Sequence, residues 1–240
     1  MSAPQQPGSS TTTIIQTAVN ENTDKRDVGA FLKRQFQQSL AFGTLIVLII
    51  FFSIASPNFF TFSNIATVLL STAVIGILAL GTTFVIITGG IDLSIGTGMA
   101  LCAVMTGVFV TNMGLPVWAG VIGGILTGVL MGLINGVNIT FLRLPPFIAT
   151  LAMMMIAGGL ALVISGVAPI YFSTSAPDFK KIALGVIIPG IPNAVLVTAV
   201  LAIIAYLVLS KTLLGRYTFA IGSNEEATRL SGVNKRRWTI

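Results

Sequence analysis

The chain has 240 residues, of which 54% are hydrophobic and only 8% charged, with a mean hydropathy of +0.95 and a net charge of +6. Between Gln35 and Pro177 only Asp92 and Arg143 carry charge, whereas about a quarter of an average soluble chain is charged. This excludes a water-soluble globular domain and requires lipid as the solvent. There is no histidine and a single cysteine, Cys102. That excludes His-based metal sites, Ser-His-Asp chemistry and an intrachain disulfide. Cys102 lies in an apolar run and reads as a small packing residue.

Residues 1–23 are rich in Ser, Thr, Gln, Asn and Pro and predict a disordered tail. In residues 24–38, Val28, Phe31, Leu32 and Phe36 recur at helical spacing, with Arg26, Lys33, Arg34 and Gln37 opposite. That pattern predicts an amphipathic helix at the membrane surface, or an extension of the first span. A transmembrane domain over 39–210 follows. It is read as an all-α polytopic bundle of six spans at 39–56, 64–87, 91–111, 116–141, 147–168 and 194–210, since a bilayer core takes roughly 20 apolar residues per helix. Pro57, Pro116, Pro145 and Pro146 punctuate the joins. The stretch 169–193 is a longer loop. Its apolar residues 184–188 are too few to span and predict a re-entrant or surface segment. Residues 211–240 form a polar C-terminal segment.

Six spans put both termini on one side. Eleven of the thirteen Lys and Arg residues fall on that side, and only Lys180 and Lys181 on the other. Such asymmetry places both termini in the cytoplasm and gives Arg143 the role of an anchor at the end of span four. In span four, Gly120, Gly124, Gly128, Gly132 and Gly136 recur every four residues, the spacing that lets helix backbones approach in lipid. Gly107, isolated near the end of span three, is expected to tolerate substitution better than Gly128.

Two segments are chemically unusual. Gly89-Gly90 should break the second span ahead of Asp92, which would then sit in the first turn of span three with Ser94 sharing the cap. The alternative role for Asp92 is to line or gate a polar path, because an intramembrane carboxylate is costly. Capping and path lining are compatible. Farther on, Ser223 and Glu226 have the spacing of a capping box and Gly232 suits a helix C′ position. They bracket a helix of about eight residues, marginal alone in water, with Ala227 and Leu230 as an apolar stripe among Glu225, Glu226 and Arg229. It is expected either to dock on a partner or to lie on the protein's own surface. Gly96-x-Gly98 lacks the third glycine of a dinucleotide fingerprint, and no phosphate-binding loop occurs. No cofactor, metal or nucleic-acid partner is expected, and any ATP must be bound by another chain.

Gly-Gly-Ile-Asp-Leu-Ser at 89–94, Asn135-Gly136 followed by Leu-Pro-Pro-Phe-Ile-Ala-Thr-Leu at 144–151, and the run from Leu214 through Ser223, Asn224, Glu225 and Glu226 to Val233 resemble the permease subunits of bacterial ABC importers for ribose-type sugars. The resemblance runs from about residue 40 to the end. It implies a subunit of the bacterial inner membrane with no catalysis of its own. Two permease subunits would form the pore, above separate ATPase subunits, with a periplasmic or extracellular sugar-binding protein delivering substrate. It also implies that residues 223–232 form the coupling helix; Asp92, Ser94 and Asn135 are the candidates for a substrate path or its gate. The family continues through several more spans, so this chain is expected to be C-terminally short for it. The rival readings are an ATP-independent secondary transporter or channel, and a structural membrane protein. One intramembrane carboxylate without histidine makes a poor ion relay, and the capped C-terminal helix weighs against a purely structural role.

Overall fold

The computed structural model describes residue 40 and residues 42–172, 176 and 178–239. The expected tail and amphipathic helix, 1–38, lie outside the described residues. Described elements are all helical: α1 (Phe42–Ala55), α2 (Phe62–Ile87), α3 (Ile95–Asn112, with a π-helical last turn at Val108–Asn112), α4 (Val117–Thr140), α5 (Pro146–Ser165), α6 (Phe179–Leu184), α7 (Asn193–Lys211), α8 (Leu213–Ser223), α9 (Glu225–Leu230) and α10 (Lys235–Thr239). Helices α2, α3, α4, α5 and α7 are long and apolar enough to cross a bilayer. Where a sixth span was expected, at 39–56, the described residues hold the shorter α1.

Contacts divide the chain into two units, Met1–Asn64 and Ile65–Ile240. Within the first, Phe52 stacks on Phe59 at 6.1 Å across the Pro57 turn, and Asn64 Nδ2 donates to the Phe59 carbonyl at 2.7 Å.

Within the second, α3 packs against both α4 and α5. The buried centre is small: Leu101, Met131, Met153, Ala157 and Ala161. Large apolar side chains such as Ile125, Val129 and Met155 instead face outward. Lipid supplies no hydrophobic drive between helices, so contact comes from small residues and polar side chains satisfied locally. Thr106, Thr140 and Thr150 are buried and donate to carbonyls four residues back, at Cys102, Gly136 and Pro146.

The α3–α4 seam explains the glycine row. A side chain at Gly120 would meet Val110, one at Gly124 would meet the Thr106 hydroxyl and the Cys102 carbonyl, and one at Gly128 would meet Cys102 Sγ at 3.2 Å. The next rung is Met131, whose Cε lies 3.0 Å from where a side chain at Gly98 would begin. The last rung is Asn135 against Ser94. The α4 side of the seam therefore steps by four, four, three and four. A strict four-residue row drifts roughly 40° per step on a helix of 3.6 residues per turn. The step of three corrects that drift and leaves Gly132 outside the seam, exposed and with open space beside it. The expected single five-glycine interface is thus corrected to Gly120, Gly124 and Gly128 on the seam, with Gly136 buried beyond it. Gly107 is also not isolated: it is buried, and a side chain there would meet Ile170 at 2.9 Å.

The loop after α5 contains α6 and a turn. Pro189-Gly190 forms a type II-like turn, with Gly190 at φ 90° and Ile191 N donating to the Ile188 carbonyl at 3.0 Å. Asn193 closes the loop, donating to the Lys181 carbonyl at 3.0 Å and accepting from Ile187 N at 3.0 Å. Asp178 pairs with Lys181 and raises its pKa, but so exposed a pair contributes little stability. Beyond the Thr198 hydrogen bond to the Ala73 carbonyl at 3.2 Å, α7 and α2 flank an open apolar groove of 290 Å³ that includes Ile77, Phe84 and Leu201.

Candidate functional site

Helix α2 ends in a Schellman motif: Gly89 takes φ +78°, its N–H reaches the Ile86 carbonyl and that of Gly90 the Val85 carbonyl. The chain then runs irregularly to Ser94, the N-cap of α3, whose own side chain caps nothing. Asp92 accordingly lies outside the helix, not in its first turn as expected. Asp92 Oδ1 accepts from both the Ser94 amide, at 2.8 Å, and the Ser94 hydroxyl, at 2.6 Å. This local bond to the residue two positions on competes with helix entry and holds a turn instead. The shorter contact has the length of a hydroxyl bonded to a carboxylate.

Two helices pin this loop. Asn135 of α4 donates through Nδ2 to Ser94 Oγ at 3.2 Å, and Thr150 of α5 donates to the Ile91 carbonyl at 3.2 Å. Ser94, Asn135 and Thr150 are 3%, 6% and 3% exposed, while Asp92 is half-buried. The three residues expected at a path or gate, Asp92, Ser94 and Asn135, thus form one hydrogen-bonded chain. Asn135 Oδ1 is buried without a partner, which is costly in a low-dielectric interior. Thr150 was missed as a member of this group. Its place in the 144–151 motif was visible, but nothing local distinguished it from a packing threonine.

The C-terminal segment lies at the same end of the Ile65–Ile240 unit. A side chain at Gly222 of α8 would collide with the Ile87 carbonyl, at the end of α2. Tyr217 of α8 meets Trp238 of α10 with ring centroids 4.7 Å apart, and α10 also touches α4. Helix α9 spans six residues rather than about eight. Its cap is Asn224, in extended backbone, with Oδ1 accepting from Ala227 N at 2.9 Å. The expected capping box is therefore corrected: Ser223 is still helical as the last residue of α8, and asparagine caps at least as well as serine. Glu226 does not reach back to the cap but pairs with Arg229, which holds the Arg229 pKa above its ordinary value. At the other end Gly232, φ +83°, closes a second Schellman motif: its N–H reaches the Arg229 carbonyl, and Val233 N that of Thr228.

Thr228 anchors α9. It is buried, and its hydroxyl donates to the Ala220 and Asn224 carbonyls at 2.8 Å each. The opposite side carries Ala227 and Leu230, both exposed, Leu230 at 76%, with Glu225, Glu226 and Arg229 also exposed. A helix capped at both ends and tied down on one side thus presents its apolar stripe outward.

Among the described residues, a bundle of five membrane-length helices, with a polar loop cluster and a short helix capped at both ends at one end of the Ile65–Ile240 unit, defines a polytopic integral membrane protein. A family model described as a branched-chain amino acid transport system permease component matches residues 64–240, and the chain belongs to that family. Among curated proteins, it is 36% identical to the ribose import permease protein RbsC of Haemophilus influenzae, over 90% of this chain and 66% of that one. It is 41% identical to the ribose import permease protein RbsC of Bacillus subtilis, over 80% of this chain and 59% of that one. The L-arabinose transport system permease protein AraH of Escherichia coli is 40% identical, over 80% of this chain and 58% of its own length. The chain spans between 58% and 66% of these relatives. No solved structure matches it significantly.

Proposed function

We propose that the chain is a membrane-spanning subunit of an ATP-driven importer for pentose-type sugars in the bacterial inner membrane, with its termini cytoplasmic. In this reading α9 is the coupling helix, seated in a groove of an ATPase on a separate chain. Asp92, Ser94 and Asn135 lie on the substrate path or its gate. A sugar-binding protein delivers substrate from outside, and a second copy of the permease completes the pore. The family description names amino acids, but the relatives above carry ribose and arabinose in their names, and sugar is the reading their identity supports. The observation that carries the proposal is the outward stripe of Ala227 and Leu230 on a helix already anchored through Thr228. An exposed apolar stripe on a capped, anchored surface helix fits a partner's groove.

The test is Ala227→Arg. It adds bulk and charge on the docking face, while helix propensity changes little. Membrane insertion should stay normal, while co-purification of the ATPase chain and sugar uptake are lost. Thr12→Arg, far along the N-terminal segment, should change neither. Retained co-purification with Ala227→Arg would mean that α9 is only part of this protein's own surface.

A further inference from the structure

Gly222 faces backbone rather than side chain. The Ile87 carbonyl oxygen occupies the space that a side chain at 222 would take, with Thr88 Cα just beyond at 3.5 Å. Ile87 is the last residue of α2, and the Schellman motif there satisfies the carbonyls of Val85 and Ile86. The α8 backbone therefore bears directly on the start of the loop that runs through Asp92 to Ser94. The other end of that loop is held by Asn135 and Thr150. On the far side of α8, Thr228 ties α9 to the Ala220 carbonyl, two residues before Gly222. The links are short and contiguous: α9 to α8 through Thr228, α8 to the α2 terminus through Gly222, and that terminus to the polar cluster through residues 88–94.

We propose that Gly222 and Thr228 are positioning residues that carry displacement of the docked α9 into the Asp92–Ser94–Asn135 cluster, with the α2–α3 loop as the moving part. This rests on the reading of α9 as the ATPase-docking helix. Glycine is required at 222 because backbone on backbone leaves no side chain that could yield, so even a methyl group must lift α8 from the loop. Thr228 makes α9 and α8 move together, since its hydroxyl bonds span their junction. Neither residue belongs to the docking stripe. Changing them should therefore separate association from transmission.

The experiment uses the chain co-expressed with its ATPase partner in membranes and compares Gly222→Ala, Thr228→Val and Thr228→Ser with Gly132→Ala, which enters open space. Three quantities are measured: ATPase co-purification, ribose uptake, and the ATP-dependent change in amide hydrogen exchange over residues 88–94. Gly222→Ala and Thr228→Val should keep co-purification but lose the ATP-dependent exchange change, and uptake should fall roughly 2- to 30-fold, the range over which residues along a coupled network act. Thr228→Ser should restore both, and Gly132→Ala should alter neither. If Gly222→Ala fails to accumulate in the membrane, Thr228→Val alone decides. Unchanged exchange response and uptake in Thr228→Val, with the ATPase still bound, would overturn the relay and leave the importer reading standing. If the unsubstituted chain captures no ATPase, the importer reading falls, and the relay, which needs an input at α9, falls with it.

Discussion

Ser94 has one hydroxyl proton, and it goes to Asp92 at 2.6 Å. Asn135 must then present its amide N–H to Ser94 Oγ, which turns its own oxygen to a place with no donor. Ser94→Ala would strand both ends of Asn135 at 6% exposure. We expect it to cost about 1–3 kcal/mol, the usual penalty for a buried unsatisfied group, read as a lower Tm in detergent. Asn135→Leu removes the orphan oxygen along with the donor and should be less destabilising than Ser94→Ala. A larger loss for Asn135→Leu would show that the amide oxygen is satisfied by something else. Asp92→Asn keeps an acceptor for the Ser94 amide and hydroxyl, so the fold should survive while sugar uptake changes. Unchanged uptake in both Asp92→Asn and Asp92→Leu would remove Asp92 from the path.

At the scale of elements, the seam between α3 and α4 makes a sharp distinction within one glycine row. Gly124→Leu drives a side chain into the Thr106 hydroxyl and the Cys102 carbonyl, while Gly132→Leu enters open space. The first should destabilise by about 1–3 kcal/mol or more, as overpacking does, and the second by less than about 0.5 kcal/mol, as at an ordinary surface site. Thermal unfolding of the two purified variants in the same detergent measures this, and equal values would contradict the seam. The row was legible because glycines at every fourth position stand out. Its interruption was not, because the step of three depends on where α3 lies, and only Met131 opposite Gly98 reveals it. The same holds at Asp92. The break at Gly89-Gly90 could be read from residue types, but the loop that follows it is held by hydrogen bonds from Asn135 and Thr150, far along the chain, and those could not. At α9 the residue types pointed to Ser223 as the cap, but α8 runs through Ser223, so the cap falls one residue later, on Asn224.

For the whole molecule, composition alone dictated helices in lipid, and the large apolar side chains facing outward bear this out. What could not be read was which polar loop would meet which terminal helix. Gly222 against the Ile87 carbonyl joins segments more than a hundred residues apart through backbone, and backbone contact leaves no side-chain signature except the glycine itself. In the proposed function this bundle moves a sugar through work that a separate ATPase does on α9. The most direct test is uptake of radiolabelled ribose or arabinose into proteoliposomes holding the chain, its ATPase partner and a sugar-binding protein, with and without ATP, for the unsubstituted chain and for Ala227→Arg. The expected result is accumulation that requires ATP and is abolished by Ala227→Arg. Accumulation without ATP, or undiminished accumulation with Ala227→Arg, would contradict it.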